Sequence, residues 1–283
     1  MKYVLVIAGS DSGGGAGIQA DIKTITHLEC HPLTVLTAVT AQNSLGIAAI
    51  HKIPARFISS QLETVLDDMI PDAVKIGMLY SNPAVNEVAR QIKKYSLTNV
   101  VVDPVLKSST GTDLAESGVI STLKTVLLPI ATVVTPNLFE AGILADKKVR
   151  GPHEMVEAAK RIKLSGPDVV ITGGHLKDKC MDILYDGAHF HRFSGSRIDT
   201  ANTHGSGCVF STALATFMAR GETVVHATKL AHEFTRTAIM HAYGCGRGSG
   251  PVRPGPWSRS RLLSSTRDSG PGVWRCRVRS TRR

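Results

Sequence analysis

Short runs of apolar, β-branched residues alternate with stretches of helical spacing over most of this chain. Residues 3–8, 33–41, 73–76, 100–102, 132–134 and 168–172 each read as a strand, being short and rich in Val, Ile, Leu and Thr. Helical patterns fall between them, at about 16–28, 57–69, 83–92, 118–128 and 152–164. In 57–69 the apolar residues stand at 58, 62, 65, 66 and 69, one face of a 3.6-residue turn. Residues 46–50 fit an edge or flap strand. Residues 181–185 and 189–193 flank Asp186-Gly187, a hairpin signal, and helical patterns at 207–220 and 224–241 close the series. Repeated strand–helix units with apolar strands predict an α/β fold, a mostly parallel central sheet with helices on both faces. No repeat and no linker interrupts residues 1–246, so one domain accounts for them.

Residues 247–283 differ in character. The chain has 33 basic and 23 acidic residues, for a net charge of +10. Ten Arg and a single acid, Asp268, lie in that last segment, leaving 23 bases against 22 acids in the body. The body is electrically ordinary, and an argument for an anionic partner rests on the tail alone. The tail also holds both tryptophans, Trp257 and Trp274, among five Gly, four Pro and seven Ser. Such a composition offers no packable face, and 247–283 is expected to be disordered. It reads as an anion-binding arm, an extension without a role, or translated sequence unrelated to the fold. Composition favours the last two, so nucleic acid is not expected as a partner.

No apolar run approaches the roughly 20 residues of a membrane span. The N-terminal apolar run leads into a glycine-rich segment, 9–17, that suits the end of a first strand better than a cleavage site. Five cysteines with no CxxC spacing point to a reducing compartment, the cytoplasm being the expected location, and give no zinc pattern.

In open parallel sheets, ligands bind beyond the carboxyl ends of the strands. Here those ends read Gly9-Ser10-Asp11-Ser12-Gly13-Gly14-Gly15-Ala16-Gly17, Thr40-Ala41-Gln42-Asn43, Gly77-Met78, Asp103-Pro104, Thr135-Pro136-Asn137 and Thr172-Gly173-Gly174-His175. As a set they predict an active site. His204-Gly205-Ser206-Gly207-Cys208 precedes a long apolar helix, where glycines and the N–H groups of a helix start make a cradle for phosphate or an oxyanion. The chain has no GxxxxGK[ST] loop, and its first glycines do not match GxGxxG in frame.

Cys208 stands where a helix field favours a thiolate; a general base, a nucleophile and a small buried residue all remain open. Asn137 and Glu140 share a helix face. With Asp103 they suit Mg²⁺ carried on phosphates, or they form a capping pair. Asp21, four past Gly17, is expected to face the site, and with Gln42 it suits a planar heteroaromatic amine. Of the histidines, His175 and His204 are the two placed near ligands.

The stretch Ala8-Gly9-Ser10-Asp11-Ser12-Gly13-Gly14-Gly15-Ala16-Gly17-Ile18-Gln19-Ala20-Asp21-Ile22-Lys23 resembles the opening signature of the bacterial hydroxymethylpyrimidine/phosphomethylpyrimidine kinases of thiamine biosynthesis. The resemblance continues through Thr40-Ala41-Gln42-Asn43, Lys75-Ile76-Gly77-Met78-Leu79, Asp103-Pro104-Val105, Ser108-Ser109-Thr110-Gly111, Thr135-Pro136-Asn137-Leu138-Phe139-Glu140-Ala141, Thr172-Gly173-Gly174-His175 and Asn202-Thr203-His204-Gly205-Ser206-Gly207-Cys208. It covers nearly all of 1–246.

The resemblance implies the ribokinase-like three-layer fold, usually with a small flap and a homodimer. It implies two ATP-dependent phosphorylations, of 4-amino-5-hydroxymethyl-2-methylpyrimidine and then of its monophosphate. Carried onto this chain, Asp21 and Gln42 match positions that hold the pyrimidine, with Gly9 and Met78 beside it. Glu140 and Asp103 match the Mg²⁺ region, and Lys107, Thr135, Asn137, Thr172 and Thr203 go with ATP and its phosphates. Gly205, Ser206 and Gly207 match an anion hole and Cys208 the catalytic base. Some relatives phosphorylate pyridoxine or pyridoxal and tend to differ at Gln42, so vitamin B6 salvage is the alternative. Members usually end soon after a Gly-x-Gly-x-Gly-Pro-Val segment, whereas here about thirty atypical residues follow Val252.

Overall fold

Strand β1 (Tyr3–Asp11) runs through the middle of the molecule and is apolar on both sides. Successive side chains of a strand alternate between faces, and here Val4, Val6 and Ala8 enter one core while Leu5 and Ile7 enter the other. A computed structural model describes residues 1–108, 110–174, 176 and 180–255.

The first core lies under α1 (Gly17–His27), α7 (Ser206–Ala219) and α8 (Val224–Met240). The second lies under α2 (Ala55–Leu66), α3 (Asn82–Lys94), α5 (Leu138–Ala145) and α6 (Pro152–Lys163). This is the expected three-layer α/β arrangement. The remaining strands are β2 (His31–Asn43), β3 (Gly46–Lys52), β4 (Ala73–Ile76), β5 (Val100–Val102), β6 (Val133–Val134), β7 (Asp168–Ile171), β8 (Cys180–Tyr185) and β9 (Phe190–Gly195). The sheet order is β3-β2-β1-β4-β5-β6-β7-β8-β9. Pairing is parallel from β2 to β7 and antiparallel at both margins. All the parallel strands therefore deliver their carboxyl ends to one edge of the molecule.

Two segments depart from expectation. The helical pattern at 118–128 does not form one regular helix. It starts as α4 (Val119–Thr122), widens to a π turn over Leu123–Leu127 and tightens to a 3₁₀ turn at Leu128–Ile130. Pro129, which has no N–H to donate, sits in that last turn. The second departure is the domain boundary. The chain stays packed past 246 as far as Gly255: Val252 is buried in the first core, and Arg253 N–H donates to Ala238 O at 3.0 Å. Residues 256–283, which hold most of the arginine-rich tail, lie outside the described residues.

Candidate active site

The strand ends enclose a cavity of about 800 Å³. Its first wall is the loop between β1 and α1. Asp11 organises this loop, because its carboxylate accepts from the N–H groups of Gly13, Gly15 and Ala16 at 2.8, 3.1 and 2.8 Å. It also meets His204 Nε2 at 3.0 Å. Burial alone would raise the Asp11 pKa. The His204 and backbone hydrogen bonds outweigh it and hold the carboxyl below its ordinary value.

The second wall is the start of α7. Gly205 caps this helix with φ +80°, and a Cβ there would come within 2.0 Å of Gly15 O, so the two glycine loops touch backbone to backbone. The first turn of a helix has N–H groups without intrahelical acceptors, and here that turn carries Ser206, Gly207 and Cys208 into the cavity wall. Burial, reinforced by the charges of Asp21 and Asp103, pushes the Cys208 thiol up to about 12. Lys75 and the Gly17 N–H pull the other way. The thiolate expected from the helix field is thus outweighed by desolvation.

Below the cavity lies a buried polar cluster. Lys75, on β4, places Nζ 3.0 and 2.9 Å from the two carboxylate oxygens of Asp21, and both side chains are fully buried. Thr212 Oγ1 also donates to Asp21, and Ser211 Oγ donates to Asp103 at 3.0 Å. Asp21 therefore does not face the cavity as expected. The helix spacing gave its direction correctly, but α7 packs over that face of α1, and Asp21 neutralises Lys75 beneath the site. Lys75, not Asp21, belongs to the cavity wall.

The capping reading of Asn137 and Glu140 is the one the contacts show. Asn137 Oδ1 accepts from Glu140 N–H and Glu140 Oε2 from Asn137 N–H, each at 3.0 Å, a complete capping box. Glu140 is nonetheless buried in the cavity wall near Asp103. Burial and the Asp103 charge raise its pKa to about 8. Two buried carboxylates that oppose each other's ionisation form an oxygen donor set that a hard divalent cation would relieve. Among the described residues no cluster of three His, Cys, Asp or Glu could hold a metal, so water and phosphate would supply the other ligands. That fits Mg²⁺ carried with a nucleotide.

Gly9, Gln42, Met78, Thr135, Thr172 and Thr203 all line the cavity. A Cβ on Gly9 would fall 2.3 Å from Met78 Cε, so the glycine makes room for the methionine. Gln42 Oε1 accepts from Thr40 Oγ1 at 3.1 Å, and its Nε2 lies 3.5 Å from His204 Nε2. Lys107 stands at the mouth, ion-paired with Asp113 at 3.1 Å and 5.6 Å above the Phe139 ring. His175 and Ser109 lie outside the described residues. Sequence reasoning gave no role to Asp11, Lys75 or Ser211. Lys75 carries a signal in retrospect, as the single charge in a four-residue strand buried on both sides.

A family model described as phosphomethylpyrimidine kinase matches residues 11–253. The chain belongs to that family. Its members are ATP-dependent kinases of hydroxymethylpyrimidine and its phosphate in thiamine biosynthesis. A hydroxymethylpyrimidine/phosphomethylpyrimidine kinase of Bacillus subtilis is 39% identical over 264 residues, covering 92% of this chain and 97% of that protein. A thiamine biosynthesis bifunctional protein of Geobacter sulfurreducens is 45% identical over 251 residues, 88% of this chain. The matched region is 51% of that protein's length, so the chain spans about half of it. Among solved structures, an ADP complex of Bacillus subtilis pyridoxal kinase superposes with a TM-score of 0.85 at 39% identity, covering 90% of this chain and 97% of that one. The fold is thus that of a nucleotide-dependent kinase, and the cavity corresponds in place to the site that the strand ends predicted. No helix among the described residues is long and apolar enough to cross a membrane.

Proposed function

We propose that this chain phosphorylates 4-amino-5-hydroxymethyl-2-methylpyrimidine to its monophosphate and then to the diphosphate, with ATP as donor. One observation carries the reading. Gln42 and Met78, the α7 helix start with Cys208, and the Asp103–Glu140 pair all line a single cavity. That arrangement supports a reading in which a slot for a small heterocycle lies beside an anion cradle and a cation site, the parts phosphoryl transfer requires.

In the first step the hydroxymethyl oxygen bonds to the γ-phosphorus as the bond to the ADP oxygen breaks, and the hydroxyl proton passes to the Cys208 sulfur. Gly205 and Gly207 present backbone N–H groups to the transferring charge, while the Ser206 N–H, donated to Thr203 O at 3.2 Å, holds the turn between them. Asp103 and Glu140 would hold Mg²⁺, which supplies charge neutralisation to the phosphates. Gln42, able to donate and accept, orients the aminopyrimidine. In the second step the acceptor is a phosphate oxygen, already ionised, and needs no strong base. Lys107, Thr135, Asn137, Thr172 and Thr203 line the part of the cavity assigned to ATP and its phosphates. The free cysteines Cys30, Cys180, Cys208 and Cys245 suit a reducing compartment such as the cytoplasm. The reading includes a homodimer, for which the exposed edge strand β3 is available.

Pyridoxal phosphorylation is the second reading, favoured by the likeness to a pyridoxal kinase. Both are tested by giving the full chain each acceptor separately with ATP. Conversion of the pyrimidine through to its diphosphate supports the first. Preference for pyridoxal keeps the fold and the mechanism and reassigns the substrate.

A further inference from the structure

The mechanism above leaves one buried ion pair without a task. Lys75 and Asp21 are both fully excluded from water, and burying two charges is costly even when they are paired. Nothing in the packing of β4 requires a lysine, because Ala73, Val74 and Ile76 fill the same strand with apolar groups. The pair is also asymmetric about the site. Lys75 belongs to the cavity wall and Asp21 does not. Thr212, which donates to Asp21, follows Cys208 by one turn on α7, so the cluster sits under the start of that helix.

We propose that Lys75 is a positioning residue for the phosphoryl-transfer step: its buried ammonium sets the charge beneath Cys208, and the Asp21 carboxylate that holds the ammonium in place opposes it there. The inference rests on the proposed role of Cys208 as base. The groups whose charge reaches the Cys208 sulfur come from three elements: Lys75 on β4, Asp21 on α1 and Asp103 after β5. Two are negative and oppose a thiolate, and Lys75 alone favours it. Burial would discharge a lone lysine, yet the carboxylates of Asp21 and Asp103 keep Lys75 protonated. Without Lys75 the sulfur would keep the Gly17 N–H but face only negative side-chain charge in a desolvated wall, and its thiolate fraction would fall.

The two partners should act in opposite directions, a result that a purely structural pair cannot give. The test is the rate of Cys208 alkylation by iodoacetamide between about pH 7.5 and 9.5, read by peptide mass spectrometry on the full chain, since the rate follows the thiolate fraction. Lys75→Met is expected to slow alkylation about tenfold, as one unit of thiol pKa would. Asp21→Asn, which keeps the shape and the Thr212 contact, is expected to speed it. Turnover of the hydroxymethyl acceptor should follow the same order, with KM for ATP little changed. Slower alkylation in both variants, or no change in either, overturns the proposal. If Lys75→Met does not fold, Asp21→Asn decides alone: unchanged or slower alkylation overturns it. The alkylation readout needs no substrate, so a mistaken acceptor would not mask the result.

Discussion

His204 Nε2 lies 3.0 Å from Asp11 Oδ2, which ties the loop before the anion cradle to the glycine loop after β1. The same carboxylate accepts from the Gly13, Gly15 and Ala16 N–H groups. Asp11 is therefore the joint between the two backbone walls of the cavity. Its pKa is lowered by these contacts, so its contribution to stability is present above the ordinary carboxylate value of 3.8 and is lost as pH falls through the lower folded value. Asp11→Asn should cost about 1–3 kcal/mol, since an amide cannot accept through both atoms. It should also flatten the acid limb of a melting-temperature profile. An unchanged acid limb would show that the joint is held by other contacts.

On the proposed mechanism, Cys208 divides the two phosphorylations. Its thiol is held up at about 12 by burial, so base action depends on a minor thiolate fraction. The alcohol acceptor needs that base, whereas the monophosphate acceptor is already an anion. Cys208→Ser should lower turnover with the hydroxymethyl substrate by about 10² and affect the monophosphate substrate by less than about tenfold. Measuring each acceptor separately checks this, and equal losses would remove the base role.

The strands were readable from sequence for a physical reason. Both faces of the sheet are covered, so each parallel strand is a run such as Val100–Val102 that needs no polar side. The cavity was readable because strand ends carry its residues. Depth was not readable. Helical spacing placed Asp21 on the correct face of α1 but could not show that α7 lies over it. Asp11 was hidden in a loop that reads simply as a glycine turn. Residues 247–255 look like the tail that follows them, yet their glycines serve close packing. A Cβ on Gly248 would lie 1.9 Å from Ser44 O, and one on Gly250 would lie 2.0 Å from Tyr243 O.

On the proposed function, Glu140 would link metal binding to a proton. Burial and Asp103 raise its pKa from 4.5 to about 8. In the metal-free protein its contribution to stability is present below 4.5 and is lost as pH rises through about 8. Binding Mg²⁺ with nucleotide should release a proton near neutral pH, and affinity should rise with pH up to about 8. Calorimetry in buffers of different ionisation enthalpy measures that release. Glu140→Gln should abolish it and weaken the metal by about tenfold or more. Proton release that persists undiminished in Glu140→Gln would assign the titration to another group.

The segment from Gly246 to Val252 straps three parts of the site together. Gly248 N–H donates to Ser44 Oγ in the β2–β3 turn at 3.1 Å, and Gly250 N–H donates to Asn202 Oδ1 at 2.8 Å. His204 N–H donates to Gly250 O, and Val252 N–H donates to His204 O. A chain ending at Gly255 keeps all of these and should match the full chain in melting temperature and in turnover. A chain ending at Gly246 loses them, along with the buried Val252 side chain, worth roughly 2 kcal/mol on its own. It should melt lower and lose most of its turnover, because the loop carrying His204 and the anion cradle loses its backbone partner. Gly248→Ala separates position from stability. The added methyl group displaces the β2–β3 turn without touching either core, so KM for the pyrimidine should rise several-fold while the melting temperature moves little. Full activity in the chain ending at Gly246 would show that the cradle holds its shape without the strap.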